Sequence, residues 1–490
     1  MSKNVFYRAA LGFLGLLLLL NGCTHKSPSY IVPETAATAA PTQVLPTSTP
    51  FTPRPVYAPG TQVDYIAQSG DTLELLSSRF GSSVAEIRLA NPQIPEDATT
   101  MPPGFPMKMP IYYEPLWGPQ YQIIPDAAFV YGPDLNDFDL PAFLQSSTGW
   151  FKTYETYIQD KHRSASDLIM WLAQNYSLSP KLFLALIEYQ TGAITNPVRQ
   201  PGAENAFLGW VNQYRGVYLQ LYYVGDLLND GFYRYANGEL SSIEHLNGEL
   251  ENIDPWQNAA TVALQTYFAR FLEGDAYLRA VGPDGFAATF RQLFGDPWER
   301  DTTVIPGSLH QPAFILPFQR GTTWAYTGGP HTGWGRLKPW AAIDFAPPMN
   351  EAGCVPTEQY TTAVADGIVA RVDDGIVILD LDGDGNERTG WNILYLHVAT
   401  ADRIKVGTRV KQGDPLGHPS CEGGMATGTH IHIARKFNGQ WMPAAGYLPF
   451  DLAGWTPVEG SRAYLGTLVR GDELRTASVK SDSGSMVAAE

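Results

Sequence analysis

The chain has 490 residues, of which 44% are hydrophobic and 17% are charged, and its 33 Lys and Arg against 49 Asp and Glu give a formal net charge of −16. This composition excludes a disordered chain and a multi-span membrane protein. It also argues against a nucleic-acid partner, because binding to phosphates depends on Lys and Arg. At about 100–200 residues per domain, the length predicts two to four domains.

The first 22 residues have the pattern of an export signal. Lys3 and Arg8 give a basic start, and residues 9–20 are an apolar run shorter than the ~20 residues that a membrane span needs. The run ends in LNGC, which resembles a bacterial lipobox, in which the cysteine is diacylated. The resemblance implies an exported, extracytoplasmic protein of the bacterial cell envelope, held on a membrane by a lipid anchor at Cys23. An ordinary signal peptide that contains a cysteine is the alternative.

Two small units follow the signal sequence. Residues 23–62 are rich in Pro, Thr, Ser and Ala and predict an extended tether. Residues 63–112 have the pattern of a small βααβ unit. With GDTL at residues 70–73 and RFG at 79–81, this unit resembles a LysM domain, which implies binding to peptidoglycan and other glycans that contain N-acetylglucosamine. The residues expected to contact the glycan are Gly70, Asp71, Thr72, Asn91 and Ile94. A unit used only for packing is the alternative.

Residues 113–305 are expected to form an α-helical domain. The helix predicted to begin at Ser179 and Pro180 resembles the helix of lytic transglycosylases that carries the catalytic glutamate. Gln190 takes the place of that glutamate, and an amide cannot donate the proton that glycoside cleavage needs. Glu188 is close in sequence but falls on another face of the helix. We therefore expect a fold relative that lacks this activity but still has the option of binding glycan, with an unrelated helical spacer as the alternative.

Residues 306–460 change to short strands and glycine turns, which predict a mainly antiparallel β domain. His430 and His432 are two residues apart on one predicted strand, so both imidazoles project from the same face. His397 ends a second apolar strand, His331 lies in a turn, and Asp344 lies within a third apolar strand. Such side chains are costly to bury without a partner, and a metal ion supplies one.

This set of residues resembles the LytM/lysostaphin-type zinc metallopeptidases over about residues 320–440. The resemblance implies that Zn²⁺ is held by His331, Asp344 and His432, and that His397 and His430 are the catalytic pair. Two imidazoles, one carboxylate and an open fourth position suit catalytic zinc. Which histidine of the catalytic pair takes a proton from water stays open at this stage.

Four further features accompany this set. Twelve residues separate the first histidine ligand from the aspartate where the family usually has three, which leaves His310 as the alternative ligand.

Cys354 and Cys421 form either a disulfide in an oxidising exterior or two buried thiols. Residues 380–387 begin like a calcium loop, but position twelve is Trp391 rather than Glu, so a tight turn is favoured. Residues 461–490 are expected to form a tail that is disordered at its end.

Two functions from different classes compete. The first is a wall-bound zinc metalloendopeptidase that hydrolyses peptide cross-links of peptidoglycan, with the LysM domain and the lipid anchor holding it at the wall. The alternative is a catalytically inactive wall-binding scaffold, or an activator of a separate cell-wall amidase. Inactive members typically lose ligand residues, whereas this chain keeps candidates for all five positions, so the enzyme is favoured. A glycan-cleaving enzyme is disfavoured by Gln190.

Overall fold

The structure is a computed structural model that describes residues 54–112, 118–208, 214–300 and 302–490. The expected signal sequence, the lipidation site Cys23 and most of the expected tether lie outside the described residues. Within these four ranges, no helix has both the length and the apolar character that crossing a bilayer requires.

The N-terminal part is the expected βααβ unit. Its elements are β1 (Thr61–Ile66), α1 (Leu73–Phe80), α2 (Val84–Ala90) and β2 (Pro106–Ile111). The two strands pair antiparallel and close the unit. Helix α1 begins after Thr72, whose hydroxyl accepts the N–H of Leu75, and ends at Gly81 with a φ of 65°. Both ends therefore follow the local sequence, since Thr favours an N-cap and glycine adopts left-handed backbone most easily.

The middle part is mainly helical, as expected, and also contains two β-hairpins. Its elements are α3 (Asp126–Phe129), α4 (Leu140–Ser146), β3 (Glu155–Ile158), β4 (Lys161–Ser164), α5 (Ala165–Tyr176), α6 (Pro180–Thr191), α7 (Val217–Ala236), β5 (Ser242–Glu244), β6 (Leu250–Asn252), α8 (Ala259–Ala269), α9 (Gly274–Ala280) and α10 (Phe286–Phe294). Ser164 and Asp167 form a capping box at the start of α5, and Pro180 opens α6. Aromatic side chains fill the core, where Phe129 stacks on Phe232 with ring centroids 4.6 Å apart.

The C-terminal part is built on antiparallel strands. They are β7 (Thr323–His331), β8 (Ala342–Ala346), β9 (Thr361–Thr362), β10 (Gly367–Asp373), β11 (Ile376–Asp380), β12 (Trp391–Leu396), β13 (Arg409–Val410), β14 (Pro415–Gly417), β15 (Ile431–Phe437), β16 (Gln440–Met442), β17 (Thr456–Glu459), β18 (Gly466–Arg470), β19 (Glu473–Thr476) and β20 (Met486–Ala488). The main sheet runs β13-β10-β11-β12-β15-β8-β7-β20, and β16 pairs with β15.

The expectation of a tail with a disordered end is wrong. Strand β20 pairs with β7 and so extends the main sheet, while β18 and β19 join β17 in a three-stranded sheet. Val487 is fully buried in β20. An apolar side chain that fills the edge of a sheet offsets the conformational entropy that ordering a terminus costs.

The three parts pack against one another through aromatic and polar contacts. The indole N–H of Trp256, in the middle part, donates to the Asp64 carbonyl of the βααβ unit at 3.0 Å. The indole N–H of Trp441, next to β15, donates to the Tyr176 carbonyl at 3.0 Å, and the ammonium of Lys436 donates to the Gln174 carbonyl at 3.1 Å. Burial lowers the pKa of Lys436 to about 7. The helical part is thus fixed directly to the strand that carries His432.

Candidate metal centre

The three expected metal ligands meet because of how β7, β8 and β15 pair. Asp344 in β8 lies directly opposite His432 in β15, and opposite Gly328 in β7 on the other side. His331 is the last residue of β7. All three ligand side chains are almost fully buried, with exposed fractions of 1%, 5% and 6% for His331, Asp344 and His432. Their ligand atoms lie within 4.8 Å of one another.

The hydrogen bonds of the two histidines define which ring nitrogens are free. Nδ1 of His331 donates to the Gly329 carbonyl at 2.8 Å, and Nε2 of His432 donates to the Gly333 carbonyl at 3.3 Å. Because a carbonyl can only accept, these nitrogens carry the protons. Nε2 of His331 and Nδ1 of His432 therefore have a free lone pair and act as acceptors or metal ligands. These two nitrogens face each other at 3.0 Å.

A carboxylate oxygen completes this set of acceptors. Oδ1 of Asp344 lies 3.2 Å from Nε2 of His331 and 3.4 Å from Nδ1 of His432. It is buried and has no hydrogen-bond donor among the described residues. Three buried acceptors this close repel one another unless a cation lies between them. Ligands of a tetrahedral zinc ion at about 2.0–2.1 Å are about 3.3 Å apart, so these residues fit Zn²⁺.

The charges of the site shift the pKa values of its members. Burial by itself raises the pKa of Asp344, but His331 and His432, when their facing nitrogens carry protons, outweigh that effect and bring the pKa well below its usual range. Burial lowers the pKa of His432, and burial together with His430 and His432 lowers the pKa of His397 to about 3. At neutral pH the imidazoles of His432 and His397 are therefore neutral. For His432, together with a charged Asp344, this is the state that binds a metal.

The expected catalytic pair lies beside the ligands. The rings of His397 and His430 have centroids 4.5 Å apart, and Nε2 of His430 is 4.0 Å from Oδ2 of Asp344. Nδ1 of His397 donates to the Glu422 carbonyl, and Nδ1 of His430 donates to the Gly428 carbonyl, both at 2.8 Å. Each ring therefore keeps an unprotonated Nε2 that can accept a proton. The two histidines have equivalent hydrogen bonds.

One residue at the centre was missed from the sequence. The ring of Tyr464 stacks on His331 with centroids 4.1 Å apart and planes 22° apart. Its backbone has a φ of 69°, which is costly for a tyrosine and marks a constrained turn between β17 and β18. It belongs to the segment expected to be a tail, and no local motif connects it with the histidines. Only the fold brings it to the site.

The twelve residues between His331 and Asp344 form a loop that reaches the helical part. The rings of Trp334 and Trp171 pack edge to face with centroids 6.0 Å apart. The backbone N–H of Arg336 donates to the carboxylate of Asp226 at 2.9 Å. The loop thus extends away from the ligands without separating them. His310, the alternative ligand, is exposed and is not a member of the His331, Asp344 and His432 cluster.

The two cysteines of the C-terminal part are joined. Cys354 and Cys421 form a disulfide with Cα atoms 5.8 Å apart. The carbonyl of the next residue, Glu422, accepts the Nδ1 proton of His397. The disulfide therefore lies one residue from the carbonyl that orients His397.

The residues expected to bind glycan in the LysM unit have internal roles. Asp71 accepts hydrogen bonds from the hydroxyl of Tyr65 and the guanidinium of Arg79, and it is 1% exposed. Thr72 caps α1, and Asn91 bonds both the N–H and the carbonyl of Lys108. Ile94 is buried, and the turn at Gly70 packs near Ile305 and Gln440. Their contact with glycan stays a prediction, and in this arrangement their side chains serve the fold.

The other residues that the sequence analysis singled out, on α6 and in the acidic turn, make hydrogen bonds within the fold. Glu188 accepts the N–H groups of Ile194 and Thr195 and so closes the turn after α6, while the amide of Gln190 donates to Tyr267. In the acidic turn, Asp380 accepts the N–H groups of Gly383 and Gly385. Carboxylate oxygens of Asp380, Asp382 and Asp384 lie within 4.8 Å of one another. A tight turn of this kind is what the sequence favoured.

A groove of about 1150 Å³ lies over the metal ligands. His331, Asp344, His397, His430 and His432 lie at its base, together with Tyr464. The loops 346–353 and 423–429 line one side, and residues from the helical part line another. The site is thus open to a substrate larger than a single amino acid.

Comparison with known proteins finds matches for two parts of the chain. Residues 122–308 match the family described as LasA, N-terminal domain, and residues 65–110 match the LysM domain. The helical part thus matches a LasA domain, and its resemblance to lytic transglycosylases stays a prediction. Protease LasA from two strains of Pseudomonas aeruginosa is 25% identical over 345 and 341 residues, covering 66% of this chain and 75% of each relative.

Similar solved structures include an M23 metalloprotease, pseudoalterin, from the deep sea, and lysostaphin from Staphylococcus simulans. The first is 21% identical, covers 34% of this chain and 96% of its own, and has a TM-score of 0.29. The second is 22% identical, covers 33% and 65%, and has a TM-score of 0.18. Scores this low carry no argument by themselves. In its sequence, this chain is therefore similar to Protease LasA over about two thirds of its length, and it also contains a match to the LysM domain.

Proposed function

We propose that this protein is a zinc metalloendopeptidase that hydrolyses peptide cross-links of peptidoglycan. The observation that carries this proposal is the convergence of His331, Asp344 and His432, whose buried acceptor atoms lie 3.0–3.4 Å apart at the base of an open groove. The relatives that bear the name Protease LasA support the endopeptidase class. The LysM unit supports peptidoglycan as the substrate.

The residues of this chain divide the chemistry between them. His331, Asp344 and His432 would hold the zinc ion, which supplies a Lewis acid and lowers the pKa of a water ligand towards about 7. His397 and His430 each offer an unprotonated Nε2 beside the ligands, so one takes the proton of the attacking water. The Nε2 that has taken up this proton would then donate it to the leaving amine. The carbonyls of Glu422 and Gly428 hold both rings in this tautomer.

Zinc content and hydrolysis of purified peptidoglycan, measured on the same samples, test the proposal. We expect one zinc per chain and release of new amino groups from the parent. His432→Ala should lose both, because it removes a ligand, whereas His430→Ala should keep zinc and lose hydrolysis. His162→Ala, which changes an exposed histidine on β4, is the matched control and should keep both. A zinc-loaded parent that binds the wall without cutting it would favour the scaffold instead.

We further propose that the protein is exported and anchored by lipid at Cys23. The support is the basic start, the apolar run of residues 9–20 and the LNGC motif. Cys23→Ser should move the protein from the detergent phase to the aqueous phase when cells are extracted with a phase-separating detergent, whereas the parent should remain in the detergent phase. Equal partitioning of the two proteins would contradict the anchor.

A further inference from the structure

The groove over the metal ligands has a wall that the peptidase sheet does not supply. Four of its lining side chains come from the helical part, and a fifth comes from the loop between the first two metal ligands. They are Gln159, Trp171, Tyr218, Tyr222 and Trp334. We call these five residues the aromatic wall.

The rings of the aromatic wall form one connected cluster. Trp171 lies 6.0 Å from Trp334 and 5.9 Å from Tyr218, and Tyr218 lies 5.9 Å from Tyr222, all between ring centroids. Trp171 is buried and supports the others, whereas Tyr218, Tyr222 and Trp334 are half-buried and face the groove in part. Edge-to-face and tilted contacts of this kind favour fixed ring positions. The wall is therefore a preformed surface.

The aromatic wall is also coupled to the metal centre. Trp334 follows Gly333, whose carbonyl accepts the Nε2 proton of the ligand His432. Two residues further on, the N–H of Arg336 donates to Asp226 of α7, the helix that carries Tyr218 and Tyr222. A molecule that lies on the wall is thus held at a fixed position relative to the ligands.

The chemistry of the aromatic wall selects the kind of molecule it holds. None of its five side chains is charged, and they offer aromatic faces with hydroxyl and amide groups at the edges. The guanidiniums of Arg163 and Arg336 lie 5.4 Å and 5.8 Å from the ring centroids of Trp171 and Tyr222. A sugar ring has matching properties, since one face is apolar and the rim carries hydroxyl groups. A charged stem peptide requires charged partners, and these lie elsewhere in the groove, where Glu351 and Lys480 line it. The groove, at about 1150 Å³, exceeds the ~300–1000 Å³ of small-ligand pockets and so suits a polymer.

We propose that the aromatic wall binds sugar rings of the glycan strand whose peptide is cut at the metal centre. This inference rests on the proposed function, because it assigns the glycan portion of that substrate to the helical part. It makes the helical part a substrate-binding component of the working enzyme.

Binding of peptide-free glycan strands to the full chain, measured by calorimetry, tests this directly. The double variant Tyr218→Ala/Tyr222→Ala should bind about tenfold more weakly than the parent, since buried aromatic contacts dominate such surfaces. Tyr218→Leu/Tyr222→Leu keeps apolar bulk and removes the flat rings, so it should weaken binding similarly while preserving the packing of α7. Trp298→Ala, an exposed aromatic of the helical part outside the groove, is the control and should bind like the parent. The LysM unit is unchanged in all four proteins and cannot produce the difference.

A second measurement separates this inference from the proposed function. For the zinc-loaded parent, the preference for cross-linked peptides attached to glycan over the same peptides without glycan should exceed the preference of the leucine variant about tenfold. If glycan binding depends on the two tyrosines but the parent cuts neither substrate, the proposed function is wrong and glycan binding by the aromatic wall is supported. Equal glycan affinity of the parent and both tyrosine variants would contradict glycan binding by the aromatic wall, whether or not the parent cuts either substrate.

Discussion

Replacing both Cys354 and Cys421 with serine should lower stability and activity by separate routes. The disulfide joins residues 67 positions apart in the sequence. In the chain-entropy account, a cross-link over a loop of this length removes enough freedom from the unfolded chain to contribute about 4 kcal/mol to the free energy of unfolding. Removing both cysteines, rather than one, avoids leaving a free thiol beside the metal ligands.

The activity effect follows from the position of the bond. Cys421 precedes Glu422, whose carbonyl holds the Nδ1 proton of His397 at 2.8 Å, and whose carboxylate accepts the N–H and hydroxyl of Thr400. The loop that continues to residue 429 also lines the groove. Loosening it should leave the ligands in place but disorder the partner of His397. By analogy with losses of groups that orient metal-site residues, we expect kcat to fall about 10–100-fold with zinc retained.

Urea unfolding of the parent and the double-serine variant, with zinc content and kcat measured on the same preparations, checks both effects. Thiol reductants are unsuitable here, because they also bind zinc. A loss of less than about 1 kcal/mol in the free energy of unfolding would contradict the stability effect of the disulfide. An unchanged kcat, or zinc lost together with activity, would contradict the role of the loop in orienting His397.

Three further changes probe the surroundings of the ligands. Gly328→Ala should abolish zinc binding, because a Cβ there would collide with the carboxylate of Asp344. Gly484→Ala, whose Cβ meets only a flexible side chain, is the control and should retain zinc. The zinc content of the two variants distinguishes these outcomes. Tyr464→Ala should weaken zinc about 10–100-fold in a chelator competition and Tyr464→Phe should not, since either aromatic ring can stack on His331; equal affinities would contradict this role. Burial raises the pKa of Asp226 from 3.8 to about 6, so the folded state favours its protonated form. That stabilisation is complete below pH ~4 and is lost as pH rises through 6, so the free energy of unfolding of the parent should fall by ~2 kcal/mol over this range relative to Asp226→Asn, measured by urea unfolding at each pH.

Much of the metal centre is predictable because its residues lie on strands with clear periodicity. His430 and His432 are two residues apart, and Asp344 lies in an apolar strand, so each side chain has a defined face. The caps of α1 and α6 are equally local, since Thr72 and Pro180 act on their own turn of helix. These features depend on neighbours within a few residues, and they appear in the structure as expected.

The rest depends on contacts between distant segments. Tyr464 reaches His331 only because β17, β18 and β20 fold back on the sheet, in a stretch whose Ser-rich and charged composition suggested disorder. The loop after His331 finds its place because Trp171 and Asp226 of the helical part contact it.

The sequence by itself therefore determined the elements and the side-chain types of the candidate metal ligands, because periodicity and side-chain type are local properties. The tertiary structure decided what surrounds those ligands. The pairing of β8 with β15 sets the distance between Asp344 and His432, and the packing of α5 and α7 closes one side of the groove. It also assigned Asp71 to the interior of the LysM unit, because its partner Tyr65 lies on β1 and reaches the carboxylate only when β1 and α1 pack together.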